Sequence, residues 1–416
     1  MSALPSATTV LPTQADAVVI GAGAFGFSVA YQLVRLGAGS VVLLDQFEPG
    51  TQVSPRAAGL FKMIQASETK TRLALLSRQI VTGFEHETGI PIPHKPVGSL
   101  FIARTPAHAG MVAAEVEDAT GWGVAIERID ATEAERLCGY LDAREIVSVH
   151  HIEDDLYIEE PRSMLIVYWQ AGAALGLQVH GHTPVTGIVV QGNVVSGVET
   201  AVGRISTPLV VDAAGVWART VGQMAGVDIP ILPMRHQLRI TSPIDGITAN
   251  MPIVRITDAS AYARPARGGL MFGGFESDPV PYPVHLPAGF TTDMIGYDPE
   301  LSERFATSLL PSIPALTNHT SQEDRGGLFS MTADGRLIAG PVPSLRGFWV
   351  TTGCNGSGFS LSSAVGRCIA EWIVAGEPPF DLSLLDPARF DRAGMTAEVL
   401  LQEATRQYAN YYTPSA

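Results

Sequence analysis

Apolar residues in this chain gather in short runs broken by glycine, and their spacing changes from run to run. Ala17-Val18-Val19-Ile20 is continuous, of strand length, and stops at Gly21-Ala22-Gly23-Ala24-Phe25-Gly26. Val29, Leu33 and Leu36 follow at helical spacing up to Gly37-Ala38-Gly39, and Val41-Val42-Leu43-Leu44 ends in Asp45. The pattern predicts strand, glycine turn, helix, strand. It returns late in the chain. Phe348 to Thr352 is strand-like and runs into Gly353-Cys354-Asn355-Gly356-Ser357-Gly358-Phe359, after which Leu361, Val365, Ile369, Trp372 and Ile373 continue the apolar side of a helix. Ala17 to Val34 is uncharged and long enough to suggest a membrane span, but its glycines divide it, and no stable span is expected.

Between these ends, Pro161 to Gly176 predicts a helix with proline in its first turn. Val185 to Val190, Val194 to Glu199 and Ile205 to Val211, separated by Gly192-Asn193 and Gly203, predict a small meander. The third run leads into Asp212-Ala213-Ala214-Gly215-Val216-Trp217-Ala218, where small residues let a ligand approach the backbone. Pro233 to Ile240 is a further strand and carries His236.

Each glycine of the first turn has its own task. Gly21 permits the tight turn, Gly23 lets a pyrophosphate approach the backbone, and Gly26 allows the helix to pack closely on the strand. The helix N-terminus offers N–H groups and positive dipole to phosphates. Asp45 stands 19 residues past Gly26, where a carboxylate holds a ribose hydroxyl. These features predict a dinucleotide-binding fold.

Composition narrows the partners. The 416 residues hold 27 Lys plus Arg against 41 Asp plus Glu, a formal charge of −14, and 46% are hydrophobic. That length predicts two cores. Only 16% are charged, well under the roughly 25% of ordinary chains, so a cofactor, a partner subunit or a deep interior must hide much of the surface. Nucleic acid and anionic membrane surfaces are excluded as partners, since both need clustered basic residues, and the only lysines are Lys62, Lys70 and Lys95. Cys138, Cys354 and Cys368 are too few and too scattered for a disulfide framework or a zinc site. Met1 to Gln14 has no basic residue and no long apolar core, so it reads as a loose tail rather than a secretory signal. A cytoplasmic location is expected.

In combination, Gly21-x-Gly23-x-x-Gly26 with Asp45, Arg56-Ala57-Ala58-Gly59, Asp212-Ala213-Ala214-Gly215-x-Trp217-Ala218 and His236-Gln237 resemble the D-amino-acid-oxidase-like superfamily of FAD amine oxidases. Within it the likeness is to the flavoprotein portion of dimethylglycine and sarcosine dehydrogenases. Gly269 to Gly273, Ala333-Asp334-Gly335 and Gly376 to Leu382 extend it, so that it covers residues 15 to 390. The resemblance implies an α/β (α+β, two-domain) fold. A Rossmann-like FAD-binding domain over residues 1–85, 150–222 and 327–416 would be interrupted by a mostly antiparallel-sheet substrate domain over 86–149 and 223–326. The family's folate-binding C-terminal extension is expected to be missing, because the chain ends shortly after Leu382.

The resemblance also assigns residues. FAD would be held by Gly21, Gly23, Ala24, Phe25 and Gly26, by Asp45 and Gln46, by Arg56, Ala57, Ala58, Gly59 and Leu60, and by Val185. Ala213, Gly215 and Trp217, and the turn Gly356, Ser357, Gly358 and Phe359 with its helix dipole, would complete the set. In the dimethylglycine-dehydrogenase pattern a flavin-linking histidine precedes Ala-Ala-Gly; here Arg56 stands there, and no cysteine occurs near Gly327 to Ser330. Non-covalent FAD is therefore expected. No metal site is expected.

The reaction implied is oxidation of a C–N bond in an N-methylated amino acid or similar secondary or tertiary amine, with hydride passing to the flavin and an iminium hydrolysed to an aldehyde and a shortened amine. A primary or cyclic amino acid, or a flavin-bearing subunit of a heteromeric complex, are the alternatives, and an oligomer is compatible with either. His236 and Tyr262 match catalytic positions of the family, although each could equally serve in the core. Arg56 and Arg264 are candidates for a substrate carboxylate, against a purely structural use. The electron acceptor is O2 or an electron-transfer protein. The family's oxygen-activating lysine has no counterpart after Lys95, which favours the protein acceptor unless Lys62, an arginine or His236 substitutes. His150-His151-Ile152-Glu153-Asp154-Asp155 has metal-ligand residue types, but neighbours on an extended chain face opposite ways, and a solvated crossing is expected. Asp278 to Pro283 reads as an irregular loop.

Overall fold

The first glycine turn folds as its spacing requires. In the computed structural model, which describes residues 10–390 and 395–413, Ala17–Ile20 is a strand, Ala24–Arg35 a helix and Val41–Leu44 the parallel neighbour of the first strand. Most of the Met1 to Gln14 tail lies outside the described residues. Gly21 adopts φ +100°, and a Cβ on Gly26 would lie 1.7 Å from the Gly21 carbonyl oxygen, so helix and strand meet closer than any side chain permits. All four positions of both strands are buried. A parallel strand covered on both faces reads as a continuous apolar run rather than an alternating one.

These strands sit inside a six-stranded sheet in the order Ile338–Pro341, Phe348–Thr352, Val210–Asp212, Ala17–Ile20, Val41–Leu44, Gln178–His180. Every pairing is parallel except the first. The late return of the chain thus places its second strand and glycine turn beside the first. The helix Gly358–Ala375 packs on Ala24–Arg35. A Cβ on Gly366 would lie 2.2 Å from Ser28 Oγ, which donates to the Ser363 carbonyl at 3.3 Å. The uncharged stretch from Ala17 to Val34 is half of this central helix pair and its sheet. Among the described residues no helix is long and apolar enough to cross a membrane.

A second sheet has eight strands in the order Ser321–Met331, Leu232–Thr241, Gly269–Gly274, Ala261–Ala266, Ile253–Ile256, Ser99–Ala103, Ser148–Ile152, Glu127–Ile129. Only the pair Ile253–Ile256 and Ser99–Ala103 runs parallel. The sequence boundaries at 149/150 and 326/327 fall inside two of these strands, because pairing with Ser99–Ala103 and with Leu232–Thr241 carries each strand past its boundary.

Two further expectations need correction. The run Ile205 to Val211 is not one strand. Gly203–Ser206 closes the meander with Val185–Gln191 and Val194–Thr200, whereas Val210–Asp212 belongs to the parallel sheet. Pro208 separates the two pieces and has no N–H to continue a ladder. The His150 to Asp155 segment is no solvated crossing either. Ser148–Ile152 is an inner strand, His150 and Asp155 are buried, and Asp155 accepts from the Met63 N–H at 2.7 Å and from Ser99 Oγ at 2.6 Å. No cluster that could hold a metal occurs among the described residues.

Gly26→Ala forces a Cβ against a backbone carbonyl, and overpacking of this kind costs about 1–3 kcal/mol. Exposed Gly110, in the helix Pro106–Gly121, has open space at its Cβ, so Gly110→Ala should instead stabilise by up to about 1 kcal/mol. Urea unfolding of both variants checks the contrast, and equal effects would contradict the close helix–strand contact.

Candidate active site

The two sheets meet over a cavity of about 280 Å³ that runs from the first glycine turn to tyrosines at the C-terminal end. Every residue expected to hold the cofactor lies on its wall except Gly26, which is beneath, against Gly21. At one end, Asp45 leaves the strand Val41–Leu44 and its Oδ2 accepts from the Ala22 N–H at 2.7 Å, its Oδ1 from the Phe47 N–H at 2.7 Å. Burial pushes its pKa up to about 6, against those two hydrogen bonds. The helix Ala24–Arg35 begins at Gly23 with no side chain of its own capping it; Ser54 Oγ accepts from the Ala24 N–H at 3.0 Å. Val185, Gln46 and Trp217 flank this end, and the Trp217 ring lies 5.5 Å from that of Phe47.

Midway, Arg56 closes a 3-10 turn over Ser54–Arg56. Its Nη1 donates to the Gly326 carbonyl at 3.0 Å and Nη2 pairs with Asp293. Gly59 adopts φ +74°, and a Cβ there would lie 2.0 Å from the Ile158 carbonyl oxygen. The segment Ala57 to Leu60 is therefore pressed flat along the wall. Across from it, Ser357 stands at the start of the helix Gly358–Ala375 without capping it; its buried Oγ makes no hydrogen bond of ordinary geometry but lies close enough to the Tyr411 phenol to favour its charged form.

At the far end, His236 is held between two phenols. Its Nδ1 is 2.8 Å from Tyr408 Oη and its Nε2 is 2.9 Å from Tyr262 Oη, while Phe329 stacks on the ring at 4.4 Å. Burial pushes its pKa down to about 3, so the imidazole is neutral, with one nitrogen donating and the other accepting. Burial raises both Tyr262 and Tyr408 above the ordinary phenol range. The strands Leu232–Thr241 and Ala261–Ala266 position His236 and Tyr262; the helix Ala397–Ala409 positions Tyr408.

Arg264 requires a correction. It does not line the cavity, and its guanidinium is consumed by carbonyls: Nε donates to Ala58 at 2.8 Å, Nη1 to Pro265 at 2.7 Å and Nη2 to Glu159 at 3.3 Å, with the Tyr157 ring 4.6 Å away. It braces the Ala57–Leu60 segment from behind. Besides Arg56, a second arginine reaches the wall, Arg255, which sequence reasoning missed. It is buried, Asp155 is 3.6 Å from its Nη2, and neither Nε nor Nη2 has a hydrogen bond. Also missed were Phe275, Phe329, Tyr408, Tyr411 and Tyr412, while Lys62, named from the sequence only as a substitute oxygen-activating group, stands on the wall as well. The tyrosine cluster near the C-terminus and the concentration of lysine at 62 and 70 were available as signals; nothing local marked Arg255.

The FAD dependent oxidoreductase (DAO) family matches residues 16–372. Sarcosine dehydrogenase of Mus musculus mitochondria is 30% identical over 410 residues, 97% of this chain but 44% of that protein. The formaldehyde-forming 4-methylaminobutanoate oxidase of Paenarthrobacter nicotinovorans is 29% identical over 380 residues, 91% of this chain and 46% of that protein. The chain thus spans about half the length of these curated relatives. Among solved structures, L-proline dehydrogenase from P. horikoshii superposes with a TM-score of 0.83 at 25% identity, covering 93% of this chain and 100% of that one.

The residues present fit FAD. Asp45 offers a buried acceptor to a ribose hydroxyl, the helix start after Gly23, which has no cap of its own, offers N–H groups to a pyrophosphate, and Ser357 stands at a second helix N-terminus on the same wall, where it would meet the cofactor's polar edge.

A buried neutral imidazole links stability to pH. Because the folded pKa of about 3 lies below the unfolded value near 6.5, protonation of His236 favours the unfolded chain. Its contribution to stability is whole above the unfolded pKa and shrinks by up to about 1.4 kcal/mol per pH unit as pH falls toward 3. His236→Gln removes this slope, so the stability gap between native and variant protein should narrow from pH 7 to pH 4.5 in urea unfolding. A gap independent of pH would contradict the assignment.

Proposed function

Since the chain belongs to the DAO family of FAD dependent oxidoreductases, we propose that it oxidises the C–N bond of an N-methylated amino acid or a similar secondary or tertiary amine. The observation that carries this reading is the neutral His236, clamped by Tyr262 and Tyr408 on the wall that continues from the Arg56–Leu60 segment and the Gly356–Phe359 turn. Such a wall offers aromatic faces and, at His236, a polar group that carries no charge. It fits an amine that must lose its charge before a carbon–hydrogen bond breaks.

Bound FAD supplies the acceptor for the hydrogen and two electrons that leave the carbon. The protein orients and excludes. Tyr262, held by His236, positions the nitrogen, and Phe275 and Phe329 keep water from the carbon during the step. The N-terminus of the helix Gly358–Ala375, which lies on the cavity wall, would stabilise negative charge on a bound flavin. Arg255 takes the role expected of Arg264: a buried guanidinium with free donors is suited to a carboxylate. Arg56, in place of a flavin-linking histidine, leaves FAD non-covalently held. Lys62 stands on the cavity wall, so the scarcity of lysine after Lys95 carries no weight against O2 as the acceptor.

The relatives named for sarcosine and 4-methylaminobutanoate favour an N-methyl substrate, while the likeness to a proline dehydrogenase favours a cyclic secondary amine as the second reading. Anaerobic mixing of the FAD-loaded protein with sarcosine, dimethylglycine, 4-methylaminobutanoate, proline and glycine separates them. Bleaching of the flavin by an N-methyl compound, with formaldehyde released, is the expected result; bleaching by proline or glycine alone would overturn it. His236→Ala should slow bleaching by at least tenfold, within the range of contributions from groups that position a proton or a reacting atom, while FAD stays bound.

A further inference from the structure

One step of amine oxidation is left without a group to perform it. An aliphatic amine has a pKa near that of lysine, about 10.4, so it arrives as an ammonium. A nitrogen without a free electron pair cannot assist loss of hydrogen from the neighbouring carbon. His236 is unsuited to take that proton, because burial makes its charged form costly and the hydroxyls of Tyr408 and Tyr262 occupy both ring nitrogens.

We propose that Tyr411, held by Lys62, is the proton acceptor for the substrate ammonium. This rests on the amine-oxidation reading above. Tyr411 lines the same cavity as His236 and Tyr262, and its ring lies flat on Phe275 with centroids 3.9 Å apart and planes 3° apart. Phe275 in turn lies 5.1 Å from the His236 ring. Lys62 donates through Nζ to Tyr411 Oη, and Nζ also lies 4.5 Å from the Tyr411 ring centroid. Lys70, buried on the helix Glu68–Thr88, adds a second nearby positive charge. Two of the chain's three lysines therefore serve one phenol.

The groups around this pair carry both signs. Tyr262 and Tyr412 are phenols close to Tyr411, the Ser357 hydroxyl supports its charged form, and Cys354 lies near Lys70; Arg255 acts on Tyr412, and the buried carboxyls of Glu115 and Asp155 both feel Lys62. Burial by itself would raise the Tyr411 phenol, but the Lys62 and Lys70 charges outweigh it and the net shift is downward. Burial also drives Lys70 toward its neutral form, which leaves Lys62, in direct hydrogen bond, as the principal support.

The step balances without redox change. An N–H bond of the ammonium breaks, the O–H bond of Tyr411 forms, and the electron pair stays on nitrogen. The proton leaves to solvent when product departs. Lys62 acts as a positioning residue, through the phenol rather than on the substrate.

Ultraviolet titration of the FAD-loaded protein reads the pair without any substrate. One of the 10 tyrosines should ionise below the ordinary range near 10. That step should vanish in Tyr411→Phe, which keeps the stack on Phe275, and move to higher pH in Lys62→Met. The acid limb of the pH profile for flavin reduction by sarcosine should then move in the same two variants. A titration unchanged by Tyr411→Phe, or an acid limb unmoved in both variants, would overturn the proposal. Failure of the broader reading looks different: the low tyrosine step would persist and respond to Lys62→Met, yet no amine would bleach the flavin, and that outcome overturns the role of proton acceptor with it.

Discussion

Desolvation sets the terms for the buried polar groups around this cavity, His236 and Asp45 above all. A charge removed from water must find a partner or give up its charge, and the groups here do one or the other. Asp45 keeps two backbone N–H donors and still titrates near 6. His236 gives up its charge and is satisfied by two hydroxyls. Arg264 keeps its charge by binding three carbonyls, although burial brings it down to about 10. Lys62 and Tyr411 solve the same problem as a pair. A flavin enzyme for amines needs this discipline, because its substrate must shed a proton in a place where an unmatched charge would resist entry.

The fold was readable where local pattern and burial agree. The glycine turn at Gly21 to Gly26 declares itself because strand, turn and helix each leave an apolar signature and only glycine tolerates the contact with the Gly21 carbonyl. The return at Phe348 to Phe359 was legible for the same reason. The meander was misjudged at Ile205 to Val211, since two short strands of different sheets, joined through Pro208, read as one run. His150 and Asp155 misled because buried polar residues look like a surface until their packing is known, and for Asp155 until its partners Met63, Ser99 and Arg255 are known.

The site divides along the same line. The residues expected to hold a cofactor through backbone and small side chains all line or underlie one cavity, because their spacing is local. The far wall was anticipated only in part. His236 and Tyr262 came with the family resemblance, but Tyr408, Tyr411 and Tyr412 arrive from the helix Ala397–Ala409 and the residues after it, and nothing local indicates that they fold back over the cavity. Arg255 and Arg264 show the limit most clearly. Both are buried arginines on adjacent strands of one sheet, Ile253–Ile256 and Ala261–Ala266, and only three-dimensional packing decides which faces the cavity and which braces the chain behind it. The charge scarcity of the whole chain, 16% of residues, is explained by the same interior: a central helix pair and a large shared cavity leave little surface for charge.

The central claim is that hydrogen leaves an N-methyl carbon at the His236–Tyr262 end of this cavity for FAD. Anaerobic reduction of the bound flavin by sarcosine carrying deuterium in the methyl group, compared with sarcosine carrying it on the carboxyl-side carbon, tests that claim directly. Slower reduction with the deuterated methyl and an unchanged rate with the other compound is the predicted result. The reverse pattern, or no reduction by either, would contradict it.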